Sequence, residues 1–174
     1  QGLKDVPIDV FVSSPLKRSF MTASFCAELH GNTVAKDERL TEINHGLWEG
    51  RLAGDIEAEY PDEFAAWHTQ PHTVQMPGEG GESLEDVRVR VRAAFDDYAQ
   101  KYAEKTVFVA AHDAVNKAVI CDLLGLSQAA FWQIKQDNTC INVLEEQDGR
   151  WRLVLLNSTT HLGYLFSGIG QKGL

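Results

Sequence analysis

The sequence predicts an α/β domain, a three-layer sandwich with a mostly parallel sheet and helices on both faces. Three observations carry this. Apolar runs of strand length alternate with amphipathic stretches of helix length. Residues 106–111 (TVFVAA) form a continuous apolar run, the pattern of a strand covered on both faces in a parallel sheet. Residues 9–23 read as a short buried strand that breaks at Ser13-Ser14 and turns at once into a helix. A length of 174 residues suits one domain (1–174) with a sizeable core.

Taken in order, residues 8–12 read as the first strand. Ser14 stands where an N-cap belongs, and Pro15 suits the first helical position, where its missing N–H costs nothing. The helix then runs over 15–29, with Leu16, Phe20, Ala23 and Ala27 on one face and Gly31 closing it. Residues 32–40 form a loop with some extended character, and 41–50 (TEINHGLWEG) are irregular. Residues 55–67 look helical with an interruption at Pro61, and 69–81 form a loop rich in proline and glycine. Ser83 can cap the next helix, with Asp86 at its third position. Leu84, Val87, Val91, Phe95, Tyr98 and Tyr102 repeat on its buried face. After the strand at 106–111, His112-Asp113 leads into a helix over 114–124. Residues 139–145 and 151–156 read as two more strands, joined through the hairpin-turn signal Asp148-Gly149.

Composition limits the partners. A net charge of −9 argues against nucleic acid or an anionic membrane. An anionic small substrate then needs a locally basic pocket. Cys26, Cys121 and Cys140 are scattered without C-x-x-C spacing, which fits reduced thiols in a cytoplasmic protein. No apolar run approaches membrane-span length, and no signal-peptide pattern follows Gln1. His68 and His72 have i,i+4 spacing and His45 is a third imidazole, but Pro71 breaks the helical logic of a metal site. No metal or cofactor is expected.

Three residues are candidates for chemistry. Arg18 falls near the positive end of its helix, where free N–H groups, the dipole and a guanidinium together suit a phosphate; a solvated surface arginine is the other reading. His112 ends a buried strand at the sheet edge where open α/β sheets place ligands, and either donates to a phosphate oxygen or caps its helix. Glu42 lies between apolar neighbours, and is either a general acid with a raised pKa or a loop glutamate.

The ordered segments SSPLKRSFMTA, LTEINHGLWEG, GEGGES and VFVAAHDAV together resemble the histidine phosphatase superfamily, which includes the phosphoglycerate mutases. The resemblance runs from Asp9 to about Leu162. It implies the phosphoglycerate mutase-like fold, with Arg18 binding the transferred phosphoryl group, Glu42 giving a proton to the leaving oxygen, and His112 steadying the phosphoryl group. Ser83 either touches substrate or caps its helix, the cap being preferred. Trp48 and its neighbours Phe64, Trp67 and Met76 either line a cap-like insertion at 51–82 or pack it. The acids Asp55, Glu57, Glu59, Asp62 and Glu63 in that insertion would repel a bisphosphate. The expectation is therefore a phosphomonoester hydrolase rather than a mutase, acting on a small phosphorylated metabolite. His112-Asp113-Ala114 also resembles the branch of plant and cyanobacterial sugar-phosphate phosphatases, such as carboxyarabinitol-phosphate phosphatase. A homo-oligomer is compatible with all of this.

One departure outweighs the matches. Family members open with a strand ending in Arg-His-Gly, whose histidine is the nucleophile. None of the six histidines here follows an arginine. The expectation is that this nucleophile lies on an N-terminal strand and helix outside this sequence. The alternatives are completion by a partner chain, or an inactive phosphate-binding or interaction module.

Overall fold

The computed structural model describes residues 2–163. At its centre is a parallel sheet in the order β2-β1-β3, formed by Val10–Ser13 (β1), Val34–Lys36 (β2) and Val107–Ala110 (β3). The register pairs Phe11 with Val34 on one side and with Phe108 on the other. Alternation along β1 sends its side chains to opposite faces. Phe11 packs with Ile8, Ala27, Val34 and Phe108 beneath α1 (Lys17–Leu29). Val12 enters the larger core on the other face, with Val87, Val91 and Ala94 of α4 (Leu84–Lys101) and Ala114, Val115 and Ala118 of α5 (Asp113–Leu123). Helices thus cover both faces of the sheet, as the sequence predicts.

Helix α1 begins later than its sequence suggests. Leu16 occupies the N-cap position with extended backbone and no side-chain cap, so the helix starts at Lys17 rather than Pro15. Ser14 stands two residues ahead of that position, where its Oγ accepts from the Leu16 N–H at 3.3 Å and also meets a distant partner described below. Arg18 is consequently the second helical residue, and it is exposed. Helix α4 has the opposite character. Ser83 Oγ accepts from the Asp86 N–H at 3.1 Å and the Asp86 carboxylate accepts from the Ser83 N–H at 2.8 Å, a full reciprocal capping box.

The helical stretch over 55–67 is two helices, α2 (Ala53–Glu59) and α3 (Pro61–Thr69), with Pro61 opening the second. Their buried Ile56 and Trp67 join the larger core. The preceding loop is tied to the 77–81 loop at Gly46, whose positive φ and contact with the Pro77 carbonyl leave no room for a side chain.

A second departure concerns β3. All four of its residues are only half-buried, whereas the apolar run predicts a strand covered on both faces. Among the described residues β3 pairs with β1 alone. The last two strands, β4 (Ile141–Gln147) and β5 (Arg150–Ser158), form a separate antiparallel hairpin, turned through Asp148 and Gly149 with φ of 53° and 75°. No described helix is long and apolar enough to cross a membrane.

Candidate active site

The site forms where β1 and β3 end side by side. The Ser14 N–H donates to the Ala110 carbonyl at 2.9 Å and extends the ladder by one residue beyond the strands. That brings Ser14 beside His112, the residue that leads from β3 into α5. His112 Nε2 and Ser14 Oγ are 2.8 Å apart, and both residues are buried. Ser14 is itself fixed from behind. Ser13 Oγ donates to the Ser14 carbonyl at 2.9 Å and lies 3.1 Å from the buried Ser19 hydroxyl.

Glu42 reaches the same place from the β2–α2 connection. Its Oε1 accepts from the Ile43 N–H at 3.1 Å, and the Val115 N–H in the first turn of α5 also faces its carboxylate. Burial outweighs these donors and pushes the carboxyl up to about 7. Asp113 adds to the rise, and the Arg18 charge opposes it. For His112 the direction reverses. Burial, then the positive charges of Arg18 and Arg90, bring the imidazole down to about 4, so it is neutral at physiological pH. Arg18, Glu42 and His112 therefore share one electrostatic neighbourhood although they come from three separate segments.

Two further parts complete this environment, Arg90 without a local sequence signal and Asp113 in an i,i+4 pair with Lys117. Arg90 is held by Glu82 through Nε at 2.7 Å and Nη2 at 2.9 Å, and donates to the Arg39 carbonyl at 2.6 Å. Glu82 also accepts from the Asn44 N–H at 2.9 Å, which ties α4 to the Glu42 loop. Asp113 is balanced by Lys117, whose Nζ donates to it at 3.0 Å. Lys117 is fully buried, with its ammonium 4.4 Å from the Trp132 ring centre and 4.7 Å from that of Phe131. Burial pulls its pKa down, and Asp113 works against that pull.

The remaining sequence candidates lie elsewhere in the packing. Trp48 is wholly buried against Tyr60 and Phe64, so it presents no surface to a ligand and packs the insertion from within. Ser83 spends both its hydroxyl and its N–H on Asp86. His68 stacks on Trp132 at 3° between ring planes, and its Nδ1 lies 2.9 Å from the Phe64 carbonyl.

A carboxyl able to carry a proton near pH 7, a neutral imidazole and an arginine at a helix start are the parts of a phosphoryl-transfer site with a general acid. The comparisons agree with this class. The family model of the histidine phosphatase superfamily (branch 1) matches residues 1–159, and the chain belongs to that superfamily of enzymes. Phosphoserine phosphatase 1 of Hydrogenobacter thermophilus is 36% identical over 95% of this chain and 78% of its own length. A mycobacterial glucosyl-3-phosphoglycerate phosphatase solved with inorganic phosphate superposes with a TM-score of 0.79 at 28% identity, covering 90% of this chain and 79% of the other. The YhfR protein of Bacillus stearothermophilus has the same fold, with a TM-score of 0.86 at 23% identity over 92% of this chain and 79% of its own.

Proposed function

We propose that the complete protein hydrolyses a small phosphomonoester through a phosphohistidine, whose nucleophilic imidazole is supplied by a strand outside these 174 residues. The observation that carries this reading is Glu42. A carboxyl with a pKa of about 7, set against the first turn of α5 beside His112, is poised to give up a proton and take it back. The open edge of β3 supports the position of the missing strand. A parallel strand there would pair with β3 and end level with Ser14 and His112.

The chemistry follows from the residues. The Arg18 guanidinium offsets the phosphoryl charge, and the His112 ring donates a hydrogen bond to it. The incoming imidazole nitrogen forms a bond to phosphorus as the ester P–O bond breaks, and Glu42 protonates the departing oxygen. Water then attacks the phosphorus, the N–P bond breaks, and the Glu42 carboxylate takes the water proton. Residues 51–82 are read as a cap-like insertion. Their acids disfavour a second phosphate group and favour water over a bisphosphate exchange, hence hydrolysis rather than mutase transfer. The substrate class that similarity to a phosphoserine phosphatase supports is a phosphorylated small hydroxy acid such as L-phosphoserine.

The test is the protein extended upstream, incubated with L-phosphoserine and quenched in alkali. The expected result is phosphate release with an acid-labile phosphohistidine, and its loss in Arg18→Ala and His112→Ala. Turnover without any phosphohistidine would overturn the proposed intermediate. Phosphate binding without turnover would instead identify an inactive phosphate-binding module.

A further inference from the structure

The hydroxyl of Ser14 raises a question of proton count. A serine hydroxyl offers one donor and two acceptor sites. Ser14 Oγ already accepts from the Leu16 N–H at 3.3 Å, and the residue is fully buried. Its other polar neighbour among the described residues is His112 Nε2 at 2.8 Å. If Nε2 carried a proton it would donate to Oγ, and the serine hydrogen would be left in the interior without an acceptor among the described residues. An unmatched buried donor costs about 1–3 kcal/mol. If Nε2 is bare, the serine hydrogen points at it and both groups are satisfied.

We propose that Ser14 is a positioning residue whose buried hydroxyl donates to Nε2 of His112 and so holds the ring as the neutral tautomer with its proton on Nδ1. The assignment rests on the reading above that His112 serves a phosphoryl group, and adds which nitrogen is free to donate. The surrounding geometry favours it. Ser14 cannot swing away, because its N–H is bonded to Ala110 and its carbonyl is held by Ser13, itself backed by Ser19. His112 does not spend its ring on capping α5. The cations Arg18 from α1 and Arg90 from α4 both act against a positive ring, and Asp113, the next residue, has Lys117 as counterion. The result is a ring that offers an anion a donor without itself needing to be charged, leaving the Glu42 carboxyl as the site's proton carrier.

Nitrogen-15 NMR of the histidine rings in the upstream-extended protein tests this, with the His112 signals assigned by their loss in His112→Gln. The expected wild-type spectrum has the proton on Nδ1. Ser14→Ala should move the proton substantially toward Nε2 and raise the ring's protonation constant tenfold or more, while Ser14→Thr should keep the wild-type tautomer. A wild-type ring protonated on Nε2 overturns the assignment, as does a Ser14→Ala spectrum identical to wild type. If Ser14→Ala does not fold, the wild-type spectrum alone decides. Inorganic phosphate added to the same sample separates the two ideas. A ring protonated on Nδ1 whose signals do not respond to phosphate upholds the Ser14 assignment and fails the phosphoryl reading.

Discussion

Asp37 and Glu42 lie on one connecting stretch, and the structure drives them in opposite directions. Asp37 accepts from Arg39 through Nε at 3.0 Å, Nη2 at 2.7 Å and the backbone N–H at 2.9 Å, and from Tyr98 Oη at 2.7 Å. The Arg39 hydrogen bonds, helped by Tyr98, hold its carboxyl down at about 2 against the opposing effect of burial. Glu42 has two backbone donors, a cation whose pull is smaller than the burial effect, and an aspartate nearby, and it rises to about 7. Both carboxylates are partly buried. Burial leads at Glu42 and the Arg39 hydrogen bonds lead at Asp37, and that difference separates an acid that ties the β2 edge to α4 from an acid that can move a proton.

The sharpest way to break this contrast is to remove the proton of Glu42. In the upstream-extended protein, Glu42→Gln should lower kcat/KM, which reports only the step that expels the leaving oxygen, about 10²–10⁴-fold for an alkyl phosphate such as L-phosphoserine, the usual worth of general acid catalysis. The loss with p-nitrophenyl phosphate should be far smaller, because nitrophenolate leaves without a proton. Steady-state kinetics on the two substrates measures the ratio, and equal losses would remove Glu42 from the role of acid.

A lesser effect is expected from Asp37→Asn, which leaves Arg39 with Asp97 as its remaining counterion. Urea denaturation at pH 7 should show a loss of about 2 kcal/mol, in the range for a partly buried charge-assisted pair. The pH dependence has a definite sign. The carboxyl binds its proton more weakly in the folded chain, so the wild-type advantage is present above pH 4 and is lost as pH falls from about 4 to about 2. A variant equally weakened at pH 2 and pH 7 would mean that Asp37 acts by packing rather than by charge.

The smallest effect runs the other way. Between the ordinary glutamate range and about pH 7 the folded chain holds a Glu42 proton that the unfolded chain has released, so this residue lowers stability as pH rises through that window. Glu42→Gln should therefore stabilise the fold by about 1 kcal/mol at pH 8, with the gain shrinking toward pH 4. Urea midpoints at the two pH values decide it, and a gain that does not change with pH would contradict the raised carboxyl.

Much of the architecture was legible because it is written locally. The switch from apolar strand to helix at Ser13-Ser14 and at His112, and the period of α4 from Leu84 to Tyr98, follow from neighbouring residues alone. What escaped depends on distant partners. Ser14 read as an N-cap because a serine before a helix normally spends its oxygen there. Its oxygen does accept from a local N–H, that of Leu16, but the helix begins only at Lys17, and the partner no local pattern announces, His112, is 98 positions away. Arg90 is indistinguishable in VRVRVR from Arg88 and Arg92, which both pair with Asp122. The run at 106–111 reports that its side chains are apolar, not which neighbour covers the edge of β3. Glu42 stood out by its apolar neighbours, which left a general acid and a loop glutamate both open, and the family resemblance pointed to the acid.

The pairing of Val10 with Val107 also has a consequence in time. Helices α4 and α5 can form from nearby contacts, but the parallel ladder of β1 and β3 must close a loop of nearly a hundred residues. The entropy of that closure is about 4 kcal/mol, paid before any strand contact repays it. Ser14 and His112 meet only at the end of this ladder. The site is therefore among the last parts of the chain to come into being, and during synthesis the first helix waits, with Arg18 already in place, for its other half to be made.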